Sequence, residues 1–517
     1  MSPRRGGRPP RTAAPRTTAE QDTGDIARGA GVNYLGYVAR LGSRVPFLFL
    51  AGLLYGETAF GVYTFGITIV ETAAAVSLFG MKRSLFKLMS DEAAETGSAY
   101  GAMTHGIVFA LAAGSVAMVA IAAGAGPLAG LFRLPEAAAA LVIFAPAVLF
   151  IVISDILLVT IRFTRQMRFE VYARSLAEPA TLTVATVALH LLGAGRNGLA
   201  AAYTISLAVA AGMTAWFFVR IFSVRRCVRT RLEAREMRRL VAFSGPTAVY
   251  DFLLMLGDKV DVLLVSYFLP SASVGVYGMA RQFATATKKI RAGFDRILPP
   301  VLSDSIAAGD RERAERHVIV VARWILVVAT AVFLFFAFHA GRILGLLEGA
   351  FATGAVALVL LMAADAVNGT LGVAEFPVVF LRPRANVAIG ALMLAAGVGL
   401  GALLIPRFGL AGAGGAVALT ALVTNAARVE TSRRLLGLRI LDVSLLKPLA
   451  AAVPAAAAVW VVRPLVPRLL GLDIVAGAVT ILIVYLAALR LLGLEPEDRA
   501  QMERVRGALR RAARPGR

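Results

Sequence analysis

The chain has 517 residues, 58% of them hydrophobic and only 17% charged, with a mean hydropathy of +0.73. A soluble protein of this size has no core large enough to hide that much apolar surface, so the composition excludes one and predicts a polytopic helical membrane protein. The formal net charge of +22 falls in short loops and tails without interleaved aromatic residues, a pattern of positive-inside bias rather than of a nucleic-acid surface.

The opening stretch "MSPRRGGRPPRTAAPRTTAEQDTGDIAR" is rich in Pro, Gly, Arg and Thr, so residues 1–30 are expected to form a disordered basic cytoplasmic tail. A cleaved signal peptide would carry its short apolar region nearer Met1, so the first span is expected to remain as an anchor. Apolar runs bounded by Gly, Pro and charge clusters then predict about fourteen transmembrane helices. They lie at 31–54, 59–80, 103–123, 137–159, 175–193, 198–222 and 243–268, then at 274–298, 318–339, 351–372, 385–405, 409–428, 445–463 and 471–492. The runs are continuously apolar rather than alternating, which excludes a membrane β-barrel.

Lys and Arg crowd alternate connections: Lys82, Arg83 and Lys87; Arg162, Arg165, Arg168 and Arg174; the run from Arg220 to Arg239; Arg311, Arg313 and Arg316; Arg382 and Arg384; Arg428 to Lys447. The opposite connections carry Arg133, Arg196, Arg342, Arg407, Arg463 and Arg468. The first set is expected in the cytoplasm together with both termini, which requires an even number of spans.

An internal echo divides the chain. "FGVYTFGITIVETAAA" at 60–75 is answered by "VGVYGMARQFATATKK" at 274–289, and "GLAAAYTIS" at 198–206 by "GLAGAGGAVALT" at 409–420. A repeat of six spans in parallel orientation accounts for both. The expected layout is an N-terminal half at 31–222, a basic cytoplasmic linker at 223–242, a C-terminal half at 243–430, an appended pair of spans at 431–492 and a second basic cytoplasmic tail at 493–517.

Several motifs carry no chemistry. "GAGRNG" at 193–198 fits a dinucleotide pattern, but it has no strand before it and reads as a tight turn between spans. "GLAGAGG" at 409–415 reads as close helix packing. Cys227 is the only cysteine, and the four histidines are scattered, so neither a disulfide, a metal centre nor a cofactor is expected.

Charges inside apolar spans are costly, and those that remain usually face a cavity or a partner. The first span places Asn33, Tyr37, Arg40 and Arg44 on one face; the eighth places Arg281 and Lys288 seven residues apart, again on one face. The seventh carries Asp251, Asp258 and Asp261 on a stripe with Lys259, and single carboxylates stand at Glu71, Asp155, Glu178 and Asp365. Two readings stand for each: a structural ion pair or interfacial anchor, or a functional group. Two spans that each bring two cations to one face suit an anionic guest, with phosphate or pyrophosphate the natural candidate.

The stretch "GVNYLGYVARLGSRVPFLFLAGLLYGETAFGVYTFGITIVETAAAVSLFGMKRSL" resembles the opening of bacterial polysaccharide transporters and O-antigen-type flippases of the multidrug/oligosaccharidyl-lipid/polysaccharide (MOP) superfamily. "DKVDVLLVSYFLPSASVGVYGMARQF" resembles the same family's seventh and eighth spans, and the likeness runs from about 31 to 490. The resemblance implies two helical lobes around a central cavity, in the bacterial cytoplasmic membrane. It implies alternating access for a polyprenyl-pyrophosphate-linked oligosaccharide moved to the outer leaflet, with no catalysis. Arg40, Arg44, Arg281 and Lys288 would then cradle the pyrophosphate, and Glu71, Asp155, Asp258, Asp261 or Asp365 could carry a coupling proton or sodium ion. Membrane lipids and a polysaccharide polymerase or ligase are the candidate partners. A lipid II flippase and a drug/cation antiporter of the same superfamily are the alternatives. The third, a membrane glycosyltransferase or polymerase, is disfavoured by the short outer connections.

Overall fold

A computed structural model of the protein describes the backbone of residues 19–493 and 495, apart from 165, 167, 293–297, 299–301, 303–304, 306–307, 348, 438 and 468–470. Side chains are described from Val45 on, except at those positions and at 286–290, 292, 380, 383 and 435–436. Every regular element among the described residues is helical. Residues 1–18 of the expected tail lie outside the description, but helix α1 (Ala19–Leu78) starts within the 1–30 segment, where "AEQDTGDIAR" holds helix formers and no proline.

Helix α1 holds the first two expected spans, broken at Gly56 (φ 73°, ψ 178°). That backbone conformation is open to glycine alone and costs other residues about 1–3 kcal/mol. No atom lies within 4 Å of where a Cβ would stand, so backbone strain alone sets the cost. Gly56→Ala should lower thermal stability in detergent by about 1–3 kcal/mol, with its local contacts otherwise kept. A variant as stable as the parent would show that the turn tolerates another conformation.

After the corner at Phe79 and Gly80 come α2 (Met81–Thr96), α3 (Tyr100–Leu131) and α4 (Ala137–Phe163). A helical turn at Arg168–Glu170 and a π-helical turn at Val171–Ala177 lead into α5 (Glu178–Leu191). Pro179 has no N–H to give, and the ladder widens before it, so that the Glu178 N–H bonds to Ala173 O. Helix α6 (Gly198–Ile221) ends the first half. The expected linker is partly helical: α7 (Val224–Arg229) and the first turns of α8 (Ala234–Phe268) occupy it. It is held on α3 by the Ser223 N–H donating to Tyr100 Oη at 3.1 Å and the Glu233 N–H donating to His105 Nε2 at 3.0 Å.

The second half continues with α9 (Ser271–Ala292), α10 (Arg311–Gly345), α11 (Ala355–Thr370) and α12 (Glu375–Leu381). Helix α13 (Pro383–Leu436) holds two expected spans across a break at Gly409 (φ 56°, ψ −131°). Beyond the break, Gly414 lets α13 approach the α11 backbone at Ala357, the close packing expected of "GLAGAGG". Helices α14 (Leu446–Val462) and α15 (Leu472–Leu491) pack on α10 through Leu334, Ala455, Val459 and Ile481. "GAGRNG" forms a tight turn with Gly193 and Gly195 at positive φ.

Nine helical runs among the described residues are long and apolar enough to cross a membrane, against about fourteen expected spans. Two of the nine, Val45–Thr96 and Arg384–Arg434, are interrupted at Gly56 and Gly409. The expected spans at 175–193, 243–268 and 274–298 fall on helices outside the nine, because α5 has only 14 residues and α8 and α9 carry charges. One core of buried apolar side chains runs through both halves, from Phe47 and Phe60 to Tyr277 and Leu361.

The basic connections share one end of the bundle. Ser84 Oγ and Ser244 Oγ are 2.6 Å apart, Tyr250 donates to Glu375, and the Arg439 N–H donates to Glu315. At the opposite end Tyr55 Oη donates to Thr186 O, Ser271 to Glu136, and Arg342 pairs with Asp473.

Candidate functional site

The repeated Gly-Val-Tyr elements meet. A Cβ on Gly61 would stand 1.8 Å from Ser271 O, and one on Gly275 would stand 1.9 Å from Glu57 O. Each glycine therefore touches the residue four before the other, a reciprocal crossing of α1 and α9 that only hydrogen side chains permit. The echo marks the place where the two halves touch at the end away from the basic loops.

Below the crossing lie two sets of charged groups, one between the halves and one inside the second. Lys259 Nζ on α8 donates to Glu71 Oε2 on α1 at 2.5 Å, and Tyr203 Oη donates to Glu71 Oε1 at 3.2 Å. Arg281 on α9 reaches back to α8, with Nη1 2.9 Å from Asp261 Oδ2 and Nη2 3.2 Å from Asp258 Oδ1. Tyr277, one turn before Arg281, donates to Asp261 Oδ2 at 2.6 Å. Arg281, Asp258, Asp261, Asp365 and Asn368 line one cavity of 210 Å³ between α8, α9, α11 and α13. Asp261 Oδ1 is buried and has no hydrogen-bond partner among the described residues, while the Asp258 side chain is 55% exposed.

Asp155 stands apart from that cavity. It pairs with Arg174 at 2.5 Å and Lys82 at 2.6 Å, and Arg174 also pairs with Glu178 at 3.1 Å. The π-helical turn carries Arg174, which the spacing had placed in a basic loop. Glu178, expected at an interface, is the i+4 partner of that arginine and is itself mostly buried.

Of the four cations expected to cradle an anion, Arg281 is held by two carboxylates. Arg40 and Arg44 lie four apart on helical backbone and Lys288 lies on α9, but their side chains are outside the described residues. Of the five expected coupling carboxylates, Asp258, Asp261 and Asp365 share the cavity, Glu71 joins the two halves, and Asp155 belongs to the Arg174 network. Among the described residues no group of three or more His, Cys, Asp or Glu is placed to hold a metal ion.

A second polar cluster escaped the sequence. Glu375 pairs with Arg291 at 3.0 Å and Arg428 at 3.5 Å, and Asn425 donates to Asn368 Oδ1 at 2.7 Å. The signal was present in Arg428 and Asn425, three apart at the end of an apolar span, but span-edge arginines read as anchors.

A model of the polysaccharide biosynthesis protein family matches residues 49–351. A search of curated proteins finds no match. Among solved structures, a lipid II flippase, MurJ, in an inward closed conformation superposes with a TM-score of 0.73 at 14% identity, covering 89% of this chain and 98% of that one. An inward-facing multidrug resistance MATE family transporter of the MOP superfamily gives 0.60 at 15% identity, over 77% of this chain and 98% of that one. A Vibrio cholerae MATE transporter, VcmN, gives 0.53 at 15% identity, over 78% and 98%. The fold is that of the MOP superfamily, and with more than half of its length matched the chain belongs to the polysaccharide biosynthesis protein family.

Proposed function

We propose that the protein is a flippase that carries a polyprenyl-pyrophosphate-linked oligosaccharide from the inner to the outer leaflet of a bacterial cytoplasmic membrane, by alternating access and without chemical change to the glycan. The observation that carries the reading is the set of charged groups inside an otherwise apolar bundle: Glu71 with Lys259 between the halves, and Arg281 with Asp258 and Asp261 around the cavity of the second. A charge at the centre of a span costs about 2.5–3.5 kcal/mol on insertion scales, and an anionic headgroup crossing the bilayer gives such charges a use. Family membership supports a sugar-bearing substrate. The basic end of the bundle, with both termini, is read as cytoplasmic, and the halves as lobes at 31–222 and 243–430, joined by the linker at 223–242.

In this reading Arg40, Arg44, Arg281 and Lys288 cradle the pyrophosphate. Asp258, Asp261 and Asp365 take the coupling proton or sodium ion, Glu71 holds Lys259 across the halves, and Asp155 holds Lys82 and Arg174 within the first half. Arg281 cannot serve the substrate while both carboxylates occupy it. Charge neutralisation at Asp258 and Asp261 frees the guanidinium for a diphosphate, so the ion and the substrate are linked through one side chain. The buried Oδ1 of Asp261, without a hydrogen-bond partner among the described residues, is a ready acceptor for that charge.

The experiment is transport by the purified protein in liposomes, followed by the access of an impermeant glycosidase to a polyprenyl-pyrophosphate oligosaccharide. Lipid II and a cationic dye are offered in parallel. Transport of the oligosaccharide lipid, recovered unaltered and without dye movement, is the expected result. Dye movement without lipid transport would make the protein an antiporter, and preference for lipid II would move it to peptidoglycan precursors. In the same vesicles Asp258→Asn should transport with its dependence on an imposed proton or sodium gradient removed. Gradient dependence equal to the parent's would overturn the coupling assignment.

A further inference from the structure

A cation serves an incoming anion only if its present partner gives way. Arg174 and Arg281 are each held by two carboxylates and mostly buried, and Arg291 is held at 3.0 Å by Glu375. Separating such buried pairs is expensive. Arg83 is different. Its Nη2 is 3.5 Å from Asp251 Oδ1, its side chain is 62% exposed, and its guanidinium lies 5.8 Å from the Tyr250 ring. Asp251 is 30% exposed, and so long a pair with its cation in water exchanges more readily than the buried ones. The adjacent Lys82 is also half exposed, and its ammonium is bound to Asp155 on the same half.

Arg83 also stands at the closure of the basic end. It follows the corner at Gly80, where a Cβ would stand 2.7 Å from Ala248 N and 3.0 Å from Ser244 O. One residue on, Ser84 Oγ and Ser244 Oγ are 2.6 Å apart and buried. The two halves are in backbone contact here, and among the described residues Arg83–Asp251 is an ion pair across that contact.

We propose that Arg83 is the first docking point for the diphosphate of the substrate, and that the diphosphate opens this end by displacing Asp251. The inference rests on the reading of the substrate as a diphosphate-bearing lipid. A diphosphate offers two negative phosphoryl groups and bidentate acceptors to a guanidinium, where Asp251 offers one carboxylate in poor geometry. As the headgroup takes Arg83, the contact at Gly80 and Ser84 loses its ion pair, and the halves part at this end.

The test uses the full chain with Cys227→Ser, Ser84→Cys and Ser244→Cys, and follows disulfide formation across the closure with diamide. Inorganic pyrophosphate should slow cross-linking about fivefold, the equivalent of ~1 kcal/mol, whereas sulfate at matched ionic strength should not. Asp251→Asn should cross-link slowly without any ligand. Arg83→Ala should abolish the response to pyrophosphate, and Arg83→Lys should keep part of it. Polyprenyl pyrophosphate is tested beside the inorganic ion. A response to both assigns the site to the diphosphate, a response to the lipid alone assigns it to the lipid headgroup, and a response to neither overturns the proposal. An undiminished response in Arg83→Ala also overturns it. Should these responses hold while the liposomes transport no oligosaccharide lipid, the transport reading fails and the docking site stands.

Discussion

Arg281→Ala should cost the protein its accumulation in the membrane as well as its transport. The guanidinium is buried and faces Asp258 and Asp261, with Asp365 lining the same cavity. Removing it takes from the buried Asp261 carboxylate the guanidinium that faces it at 2.9 Å. Breaking a buried pair in this way costs about 3–5 kcal/mol, a large part of the 5–15 kcal/mol that holds a typical domain folded. Loss of export in this variant alone would therefore say nothing about substrate contact. The informative variant is Arg281→Ala combined with Asp261→Asn, which removes one charge of each sign. Fluorescence-detected size exclusion should show its level returning towards the parent's, while surface glycan export stays at least tenfold down if the guanidinium meets the pyrophosphate. Export at the parental rate would reduce Arg281 to a structural counterion.

The same residues show what a linear sequence can and cannot disclose. Membrane class, the break between the first two spans and the gathering of the basic loops at one end follow from composition, glycine placement and charge spacing, each of which acts locally. Pairing does not. Glu71 and Lys259 are 188 residues apart, and nothing near either one announces the other. Asp155 and Arg174 are only 19 apart, yet the π-helical turn that presents Arg174 arises from how Pro179 breaks the ladder, which hydropathy does not register. The charges on α8 and α9 lower their apparent hydropathy as though they faced water, whereas Tyr277 and Arg281 both turn to Asp261 Oδ2 inside the bundle. Arg83 was legible only as a loop cation; its approach to Asp251 depends on the corner at Gly80 meeting α8.

The echo of Gly-Val-Tyr leads to the last expected result: Gly61→Ala and Gly275→Ala should behave alike. Their contacts are reciprocal, with 1.8 Å from one missing Cβ to Ser271 O and 1.9 Å from the other to Glu57 O. Both clashes are with backbone, so no side chain can swing away, and the helices must separate. Overpacking of this kind costs about 1–3 kcal/mol, and the strain falls on the closed state alone if the crossing parts during transport. A bias of that size changes the ratio of open to closed forms by roughly 5- to 150-fold. With Cys227→Ser and Ser271→Cys as the background, an impermeant maleimide should label Cys at 271 much faster in either glycine variant, because the native Ser271 is buried against Glu136. The double variant should label little faster than either single one, since helices already parted no longer clash and the two effects share one contact. A response to one glycine and not the other would break the symmetry, and with it the argument that the repeated elements form a common gate. Beyond that crossing the two copies diverge for a physical reason. The first turns Glu71 to the cation of the other half, and the second turns Arg281 to the carboxylates of its own, so one repeat ties the halves together while the other closes an ion-pair network within its own half.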